Sequence, residues 1–99
     1  MDRQSASAIL KSVQSQLAAR GIAHAALFGS VARNEAKIIS DIDILLTPAP
    51  GARLSLFDLG ALQSLLEDAF AGLRVDIVLA PVKKPALRQS IERDAAHVF

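Results

Sequence analysis

Two aspartates separated by a single residue, Asp41 and Asp43, are the first feature of the sequence that suggests chemistry. Side chains alternate along a strand, so both carboxylates would point to one face, about 6.6 Å apart along the chain. Carboxylates placed in this way repel each other unless a cation lies between them, and hard divalent ions such as Mg²⁺ prefer oxygen ligands. The alternative is a solvated strand edge that resists aggregation. The Asp-x-Asp pattern is too short to decide between the two.

A third aspartate, Asp76, lies within residues 73–79, which otherwise have the composition of a buried strand. A lone buried carboxylate is costly unless it is paired or bound to a metal. If its strand lay beside the strand of Asp41 and Asp43, the three would form a two-metal site, with ions about 3.5–4 Å apart. Because Arg74 would share a strand face with Asp76, a plain salt bridge between those two is the alternative.

A phosphate-binding turn is predicted at Gly29 and Ser30, where a strand ends and a short helix begins. Glycine lets a phosphate approach the backbone closely, and a helix N-terminus offers N–H groups and a positive dipole end. The Ser30 hydroxyl would donate to a phosphate oxygen, and Arg33 would add a bidentate contact. The alternatives are Ser30 as a helix N-cap and Arg33 as an ordinary surface arginine.

The helices and strands that position these residues are predicted from hydrophobic periodicity and from the glycines and prolines that separate the segments. Gly21 is expected to end the first helix in the left-handed conformation, and Ser55 with Asp58 resembles a capping box. The predicted order is α-β-α-β-α-β-α, an α/β fold with a small mixed sheet packed with helices. The predicted segments are helix 5–20, strand 22–28, short helix 31–36, strand 42–46, helix 55–72, strand 73–79 and a helix from Pro85.

Length and composition exclude several classes of protein. Ninety-nine residues predict one domain, 1–99, and 52% hydrophobic residues exclude a disordered tail. A formal net charge of +1 argues against a dedicated nucleic-acid or anionic-membrane binder. The lack of Cys excludes disulfides and thiol chemistry, and two His argue against a histidine-built zinc site. A polar start and the lack of a long apolar stretch predict a cytoplasmic protein.

The spacing Gly29-Ser30-x10-Asp41-x-Asp43 resembles the signature of the nucleotidyltransferase superfamily that includes DNA polymerase β. The surrounding residues 27–36 and 40–45 are similar to the minimal nucleotidyltransferase (MNT) branch, and Asp76 falls where that branch has its third carboxylate. The resemblance covers nearly the whole chain. The departures are Asn34, where many relatives have Gly, and an apolar segment at residues 37–39.

The resemblance implies the polymerase β-like fold and the transfer of a nucleoside monophosphate from a nucleoside triphosphate, here AMP from ATP, with release of pyrophosphate. It implies that Asp41 and Asp43 hold Mg²⁺ on the triphosphate. It further implies that Asp76 completes a site for a second Mg²⁺ and helps to deprotonate the attacking hydroxyl. The residues implied to bind the β and γ phosphates are Gly29, Ser30 and Arg33.

Minimal nucleotidyltransferases similar to this chain are typically antitoxins paired with a HEPN-domain ribonuclease toxin. Several of them resemble protein adenylyltransferases that place AMP on a tyrosine of the toxin. A chain of 99 residues has no room for a separate acceptor-binding lobe, so an oligomer or a complex with a partner is expected. Two alternatives remain: a catalytically silent antitoxin that acts by contact alone, and transfer to a small molecule, as in aminoglycoside nucleotidyltransferases. Direct contact with nucleic acid or a membrane is not expected.

A partner surface is expected because 52% hydrophobic residues exceed what a core of this size readily hides. The helix that follows Ser55 has too many large apolar residues for one inward stripe, and the C-terminal residues 95–99 offer a second apolar patch. The alternative is that all these side chains pack under the sheet and loops. The apolar residues of the helix are Leu56, Leu59, Leu62, Leu65, Leu66 and Phe70.

Overall fold

The computed structural model describes residues 1–33 and 41–99. The helices are α1 (Arg3–Ser12), α2 (Gln14–Ala19), α3 (Gly29–Ala32), α4 (Leu56–Ala69) and α5 (Pro85–Asp94). The strands are β1 (Ile22–Phe28), β2 (Ile42–Pro48), β3 (Val75–Leu79) and β4 (Ala96–His97). No helix within the described residues is both long enough and apolar enough to cross a lipid bilayer.

The mixed α/β architecture is confirmed, but the first predicted helix is divided in two. Helix α1 ends at Ser12 and α2 begins at Gln14, with Val13 between them outside helical geometry (φ −109°, ψ 12°). The Ser12 hydroxyl donates to the carbonyl of Ile9, and such side-chain bonding to the preceding turn competes with helix propagation. Gly21 follows α2 with φ +90°, which is the left-handed stop that the sequence predicts.

One four-stranded mixed sheet runs in the order β3-β2-β1-β4. Strand β1 is antiparallel to both β2 and β4, whereas β2 and β3 are parallel and are joined through α4. The predicted strand 22–28 is confirmed, and β2 extends two residues beyond the prediction because Pro48 lies opposite Ile22. Strand β3 begins at Val75 rather than at residue 73, because its partner β2 begins at Ile42, opposite Val75.

The core lies on the face of the sheet that the long helices cover. Alternate residues of β2 are buried on that face, and the intervening residues point to the opposite face. Each large aliphatic side chain buried in this way contributes about 1.5–3 kcal/mol. The face of β2 that carries Asp43 is therefore not occupied by the main core. Core members from the helices and from β2 include Leu10, Leu17, Ile42, Ile44, Leu46, Leu62, Leu66 and Phe70.

Helix α4 begins with the predicted capping box, in which Ser55 and Asp58 each accept from the other's backbone N–H. Of its apolar residues, Leu62, Leu66 and Phe70 are fully buried, and Leu59 and Leu65 are partly buried. In the first turn of α4, by contrast, Leu56 and Phe57 are 84% and 91% exposed to solvent. These two adjacent residues are called the Leu56–Phe57 patch below.

The predicted apolar patch at residues 95–99 is wrong. Ala96 and His97 form β4 beside β1, and the backbones of Val98 and Phe99 both bond to that of Ala25. This pairing buries the Val98 side chain in the core and packs Phe99 against it. The apolar end of the chain thus completes the sheet instead of forming a separate surface.

Candidate active site

Three carboxylates converge at one end of the paired strands β2 and β3. Asp41 immediately precedes β2, Asp43 lies on β2, and Asp76 lies on β3 directly opposite Asp43 in the parallel register. The side chains of Asp41 and Asp76 are close enough to share a hydrogen bond. The structure therefore brings together the three aspartates that the sequence singled out, from positions up to 35 residues apart in the chain (76 − 41).

The electrostatics of this cluster are dominated by burial and by the proximity of the carboxylates to one another. Burial, followed by the charges of Asp76 and Asp41, raises the pKa of Asp43 above its ordinary value. Burial, followed by the hydrogen bond and the charge of Asp41, likewise raises the pKa of Asp76. Burial and neighbouring acids therefore disfavour ionisation of both Asp43 and Asp76. The cluster would therefore be stabilised by a cation.

Arg74 does not neutralise the cluster. Its Nε lies 3.8 Å from Oδ2 of Asp41, and its side chain is 78% exposed. An ion pair of this length at the surface contributes no more than about 1 kcal/mol. Its charge lowers the pKa of Asp76, but burial and Asp41 outweigh that effect. A simple salt bridge between Arg74 and Asp76, the alternative that the sequence left open, therefore does not account for the cluster.

The carboxylate oxygens of this cluster are the type of ligand that Mg²⁺ prefers, but they form an incomplete site. Within residues 1–33 and 41–99, no group of three or more His, Asp or Glu side chains is arranged so that it could by itself hold a metal ion. Mg²⁺ does not need one, because it usually keeps several waters and binds through one or two carboxylates together with substrate phosphates. The carboxylates of Asp43 and Asp76, whose pKa values are raised by burial and then by neighbouring acids, suit a divalent cation that arrives with a phosphate.

Gly29 allows the end of β1 to approach these carboxylates. Its φ is +71°, a backbone conformation that residues other than glycine adopt only at a cost in free energy. A Cβ atom built on Gly29 would overlap Oδ2 of Asp43 and lie 3.2 Å from its Cγ. The register explains this contact, since Phe28 lies opposite Asp43 in the β1–β2 pairing. The backbone at Gly29 and the Asp43 carboxylate are thus in direct contact.

Ser30 occupies the second position of α3, so the alternative that it is a helix N-cap is wrong. Phe28 is the N-cap residue, and no side chain caps this helix. Helix α3 contains only four residues, so its dipole is small, and the predicted attraction of a helix N-terminus for phosphate is correspondingly weak. Any phosphate contact at this turn depends on local N–H groups, the half-buried Ser30 and Arg33.

Arg33 ends α3 and pairs with an acid from the C-terminal helix. Its Nη1 donates to Oδ2 of Asp94 at 2.6 Å. The charge of Arg33 also acts on Asp43, whose pKa it lowers against the larger effects of burial and the neighbouring acids. Arg33 is therefore more than a solvated surface arginine. Its guanidinium links the carboxylate cluster to α5.

Sequence reasoning assigned no role to Asp94 or to Phe57. Asp94 is the last residue of α5, where a negative charge interacts unfavourably with the helix dipole. This unfavourable position is the signal by which the sequence could have indicated that Asp94 has a partner outside its helix. Phe57 lies inside a capping box next to Leu56 and was not distinguished from the inward leucines. The departures at Asn34 and residues 37–39 lie outside the described part of the chain.

Comparisons with known proteins agree with this geometry. A family model described as a nucleotidyltransferase domain matches residues 6–97. A Methanocaldococcus jannaschii protein whose name describes it as a candidate protein adenylyltransferase is 40% identical over 79 residues, covering 80% of this chain and 82% of that protein. A solved structure described as a candidate minimal nucleotidyltransferase is 38% identical, with a TM-score of 0.77, and the match covers 97% of this chain and 95% of the other.

A more distant solved structure shows the same fold. It is a complex of a tri-AMPylated HEPN toxin from Shewanella oneidensis with an MNT antitoxin. The matching chain has a TM-score of 0.67 and 19% sequence identity, and the match covers 98% of this chain and 71% of that one.

Proposed function

Because this chain belongs to the nucleotidyltransferase family, we propose that it transfers AMP from ATP to a hydroxyl group, with a tyrosine of a HEPN-type toxin as acceptor, and thereby acts as an antitoxin. The observation that carries the proposal is the cluster of Asp41, Asp43 and Asp76 beside the backbone of Gly29. A cluster of acids at a turn that admits phosphate suits a triphosphate carrying Mg²⁺.

The transfer forms one bond and breaks one. The acceptor oxygen bonds to the α-phosphorus, the bond from that phosphorus to its bridging oxygen breaks, and pyrophosphate leaves. Asp76, which lies directly opposite Asp43 at the end of the paired strands, would help to take the hydroxyl proton. Mg²⁺ bound with the triphosphate supplies charge neutralisation, and Asp41, Asp43 and Asp76 would hold it.

The phosphate turn holds the leaving group. Gly29 brings the backbone of this turn against the Asp43 carboxylate, and Ser30 and Arg33 would donate to the β and γ phosphates. Little covalent chemistry falls to these residues, since positioning and charge neutralisation account for most of the rate.

The proposed acceptor is a protein because of two observations of different kinds. In the distant structural relative, the HEPN toxin bound to the MNT antitoxin is AMPylated, and the Methanocaldococcus jannaschii relative is named for protein adenylylation. This chain contains no tyrosine, so a tyrosine acceptor must belong to another molecule.

The test uses ATP labelled either at the α-phosphate or at the γ-phosphate, with Mg²⁺ and the product of the neighbouring gene. Transfer of AMP is expected to leave the α label, and not the γ label, on the partner protein. The Asp41→Asn/Asp43→Asn variant is the matched control and is expected to give no label. A stable complex without label would support the silent antitoxin instead, and label only on small molecules would exclude a protein acceptor.

Ser30→Ala separates phosphate binding from stability. Because Ser30 lies inside a helix, where Ala is favoured by about 0.5 kcal/mol, the variant is expected to be as stable as the wild type or slightly more so. Loss of a hydroxyl contact to phosphate should raise the KM for ATP by about fivefold to tenfold, at roughly 1.4 kcal/mol per factor of ten. A thermal melt and an ATP titration of the same preparation measure the two effects.

Ser64→Ala is the control for this substitution, since Ser64 is exposed within α4 and distant in sequence from the phosphate turn. It is expected to share the small change in stability and to leave the KM for ATP unaltered. An unchanged KM in Ser30→Ala would remove Ser30 from the proposed phosphate site.

The Leu56–Phe57 patch is the proposed contact surface for the partner protein. Burying one such side chain contributes about 1.5–3 kcal/mol, so Phe57→Ser is expected to weaken the complex at least about tenfold. The substitution replaces an exposed side chain and should change the free energy of unfolding by less than about 0.5 kcal/mol. Titration calorimetry with the partner measures the affinity, with Ala8→Ser on the exposed side of α1 as control. Unaltered affinity in Phe57→Ser would place the interface elsewhere.

A further inference from the structure

Asp94 is an acid whose position cannot be explained by its own helix. It is the last residue of α5, where the partial negative charge of the helix C-terminus opposes a carboxylate. Its side chain is only 6% exposed, and an unpaired carboxylate so enclosed would be costly. The interaction that offsets both costs comes from outside the helix, through the 2.6 Å bond from Arg33.

A second arginine, Arg93 of α5 itself, also lies near the Asp94 carboxylate. Arg93 Nε lies 3.4 Å from Oδ1 of Asp94, but its side chain is 74% exposed, so this contact is the weaker one. Burial alone would raise the pKa of Asp94, but the hydrogen bonds and charges of Arg33 and Arg93 together hold it below the ordinary value.

The pair joins two parts of the chain that are distant in sequence, the phosphate turn and the end of α5. Arg33 and Asp94 are 61 residues apart in sequence, and helices α3 and α5 are in contact. The backbone of Arg33 is fixed by a bond from its N–H to the carbonyl of Gly29. Its long side chain would otherwise sample many rotamers, and the loss of that freedom would disfavour the binding of a ligand. A guanidinium has five N–H donors, so the bond through Nη1 is compatible with a contact to phosphate.

We propose that Asp94 is a positioning residue that holds the Arg33 guanidinium at the phosphate turn, so that the C-terminal helix contributes to nucleotide binding without touching the nucleotide. This inference rests on the proposed function, since it takes a triphosphate as the ligand of Arg33. It also explains why α5 ends in an acid: the end of α5 is an anchor for the active-site arginine.

The experiment measures AMP transfer against ATP concentration for Asp94→Asn, Asp94→Glu, Arg33→Ala and the double variant Arg33→Ala/Asp94→Asn. Asp94→Asn is expected to raise the KM for ATP about tenfold while kcat changes less than about threefold, because a loosened arginine mainly weakens ground-state binding. Asp94→Glu should restore part of the affinity. In the Arg33→Ala background, Asp94→Asn should have no further effect, since the two residues act as one unit.

Arg93→Gln is the matched control, because it removes the weaker contact to Asp94 and leaves the Arg33 bond in place. Its KM for ATP should stay within about twofold of the wild type. A KM that is unchanged or lower in Asp94→Asn would overturn the proposal; a lower value would mean that Asp94 competes with phosphate for Arg33.

The state of Arg33 itself provides a readout that does not depend on catalysis. The ¹⁵N signal of the Arg33 Nη1–H group, which donates to Asp94, should be protected from solvent exchange in the wild type and in Arg93→Gln, and should lose that protection in Asp94→Asn. If the wild-type protein transfers no AMP, the proposed function fails, and this signal alone decides whether Asp94 holds Arg33. Equal protection in the wild type and Asp94→Asn would exclude the positioning role.

Discussion

Replacing both Asp41 and Asp43 with asparagine is expected to lower the rate of nucleotide transfer by more than about 10³-fold while the fold survives. The substitutions remove two of three carboxylates at the site, and with them several kcal/mol of charge stabilisation, where each 1.4 kcal/mol is a factor of ten in rate. Asparagine has nearly the same size as aspartate, so packing around β2 is retained. Transfer of α-labelled phosphate to the partner measures the loss.

The same variant is expected to be more stable than the wild type when no divalent cation is present. Asp43 and Asp76 repel each other and are partly buried, and removing the charge of Asp43 relieves that repulsion. Thermal melts in EDTA should therefore show a midpoint a few degrees higher. Asp68→Asn on the exposed surface of α4 is the control and should change neither activity nor stability. Transfer at the wild-type rate by the double variant would remove the metal-dependent mechanism.

The difference in stability between the wild type and the Asp41→Asn/Asp43→Asn variant should increase with pH. The pKa values of Asp43 and Asp76 are raised in the folded state, so the folded protein binds more protons than the unfolded chain between the ordinary value of 3.8 and the raised values. Wild-type stability therefore falls as pH rises through that window, and the penalty is fully present above it. The variant lacks the charge of Asp43, so the gap between the two melting midpoints should widen as pH rises from 3.8 and then level off.

Gly29→Ala is expected to reduce both stability and activity, because two independent restrictions meet at this residue. A non-glycine residue at φ +71° costs about 1–2 kcal/mol, and the added Cβ would also overlap the Asp43 carboxylate. Relief of that overlap must move either the end of β1 or the carboxylate. We expect a loss of about 2–4 kcal/mol in the free energy of unfolding and a loss of transfer of at least about 10²-fold. Chemical denaturation and the labelled-ATP assay measure these effects.

Gly51→Ala separates the two restrictions. Gly51 has φ +81°, but a Cβ there would meet no atom within 4 Å. It should therefore show the backbone cost alone, about 1–2 kcal/mol, with full activity. If Gly29→Ala were no more destabilising than Gly51→Ala and remained active, the close approach of the Gly29 backbone to Asp43 would not matter to the site.

Local features of the fold could be predicted from the sequence because short-range interactions determine them. The strand at residues 22–28, the capping box of Ser55 and Asp58, and the left-handed Gly21 each depend on a few neighbouring residues. The spacing of Gly29 and Ser30 from Asp41 and Asp43 resembles the nucleotidyltransferase signature, and the family model that matches residues 6–97 confirms that resemblance.

Long-range pairings decided what the sequence left open. Asp76 could have formed a salt bridge with Arg74, and only the parallel pairing of β2 and β3 set it opposite Asp43. The apolar residues 95–99 could have been a surface, but the open edge of β1 offered backbone hydrogen bonds that took them into the sheet.

The bond between Arg33 and Asp94 shows the same limit most clearly. No local sequence pattern relates two residues that are 61 positions apart, and the role of each side chain depends on its contact with the other. Periodicity and spacing report which face a residue occupies on its own element. Which elements then become neighbours is determined by how the whole chain packs, and the electrostatics of the site follow from that packing.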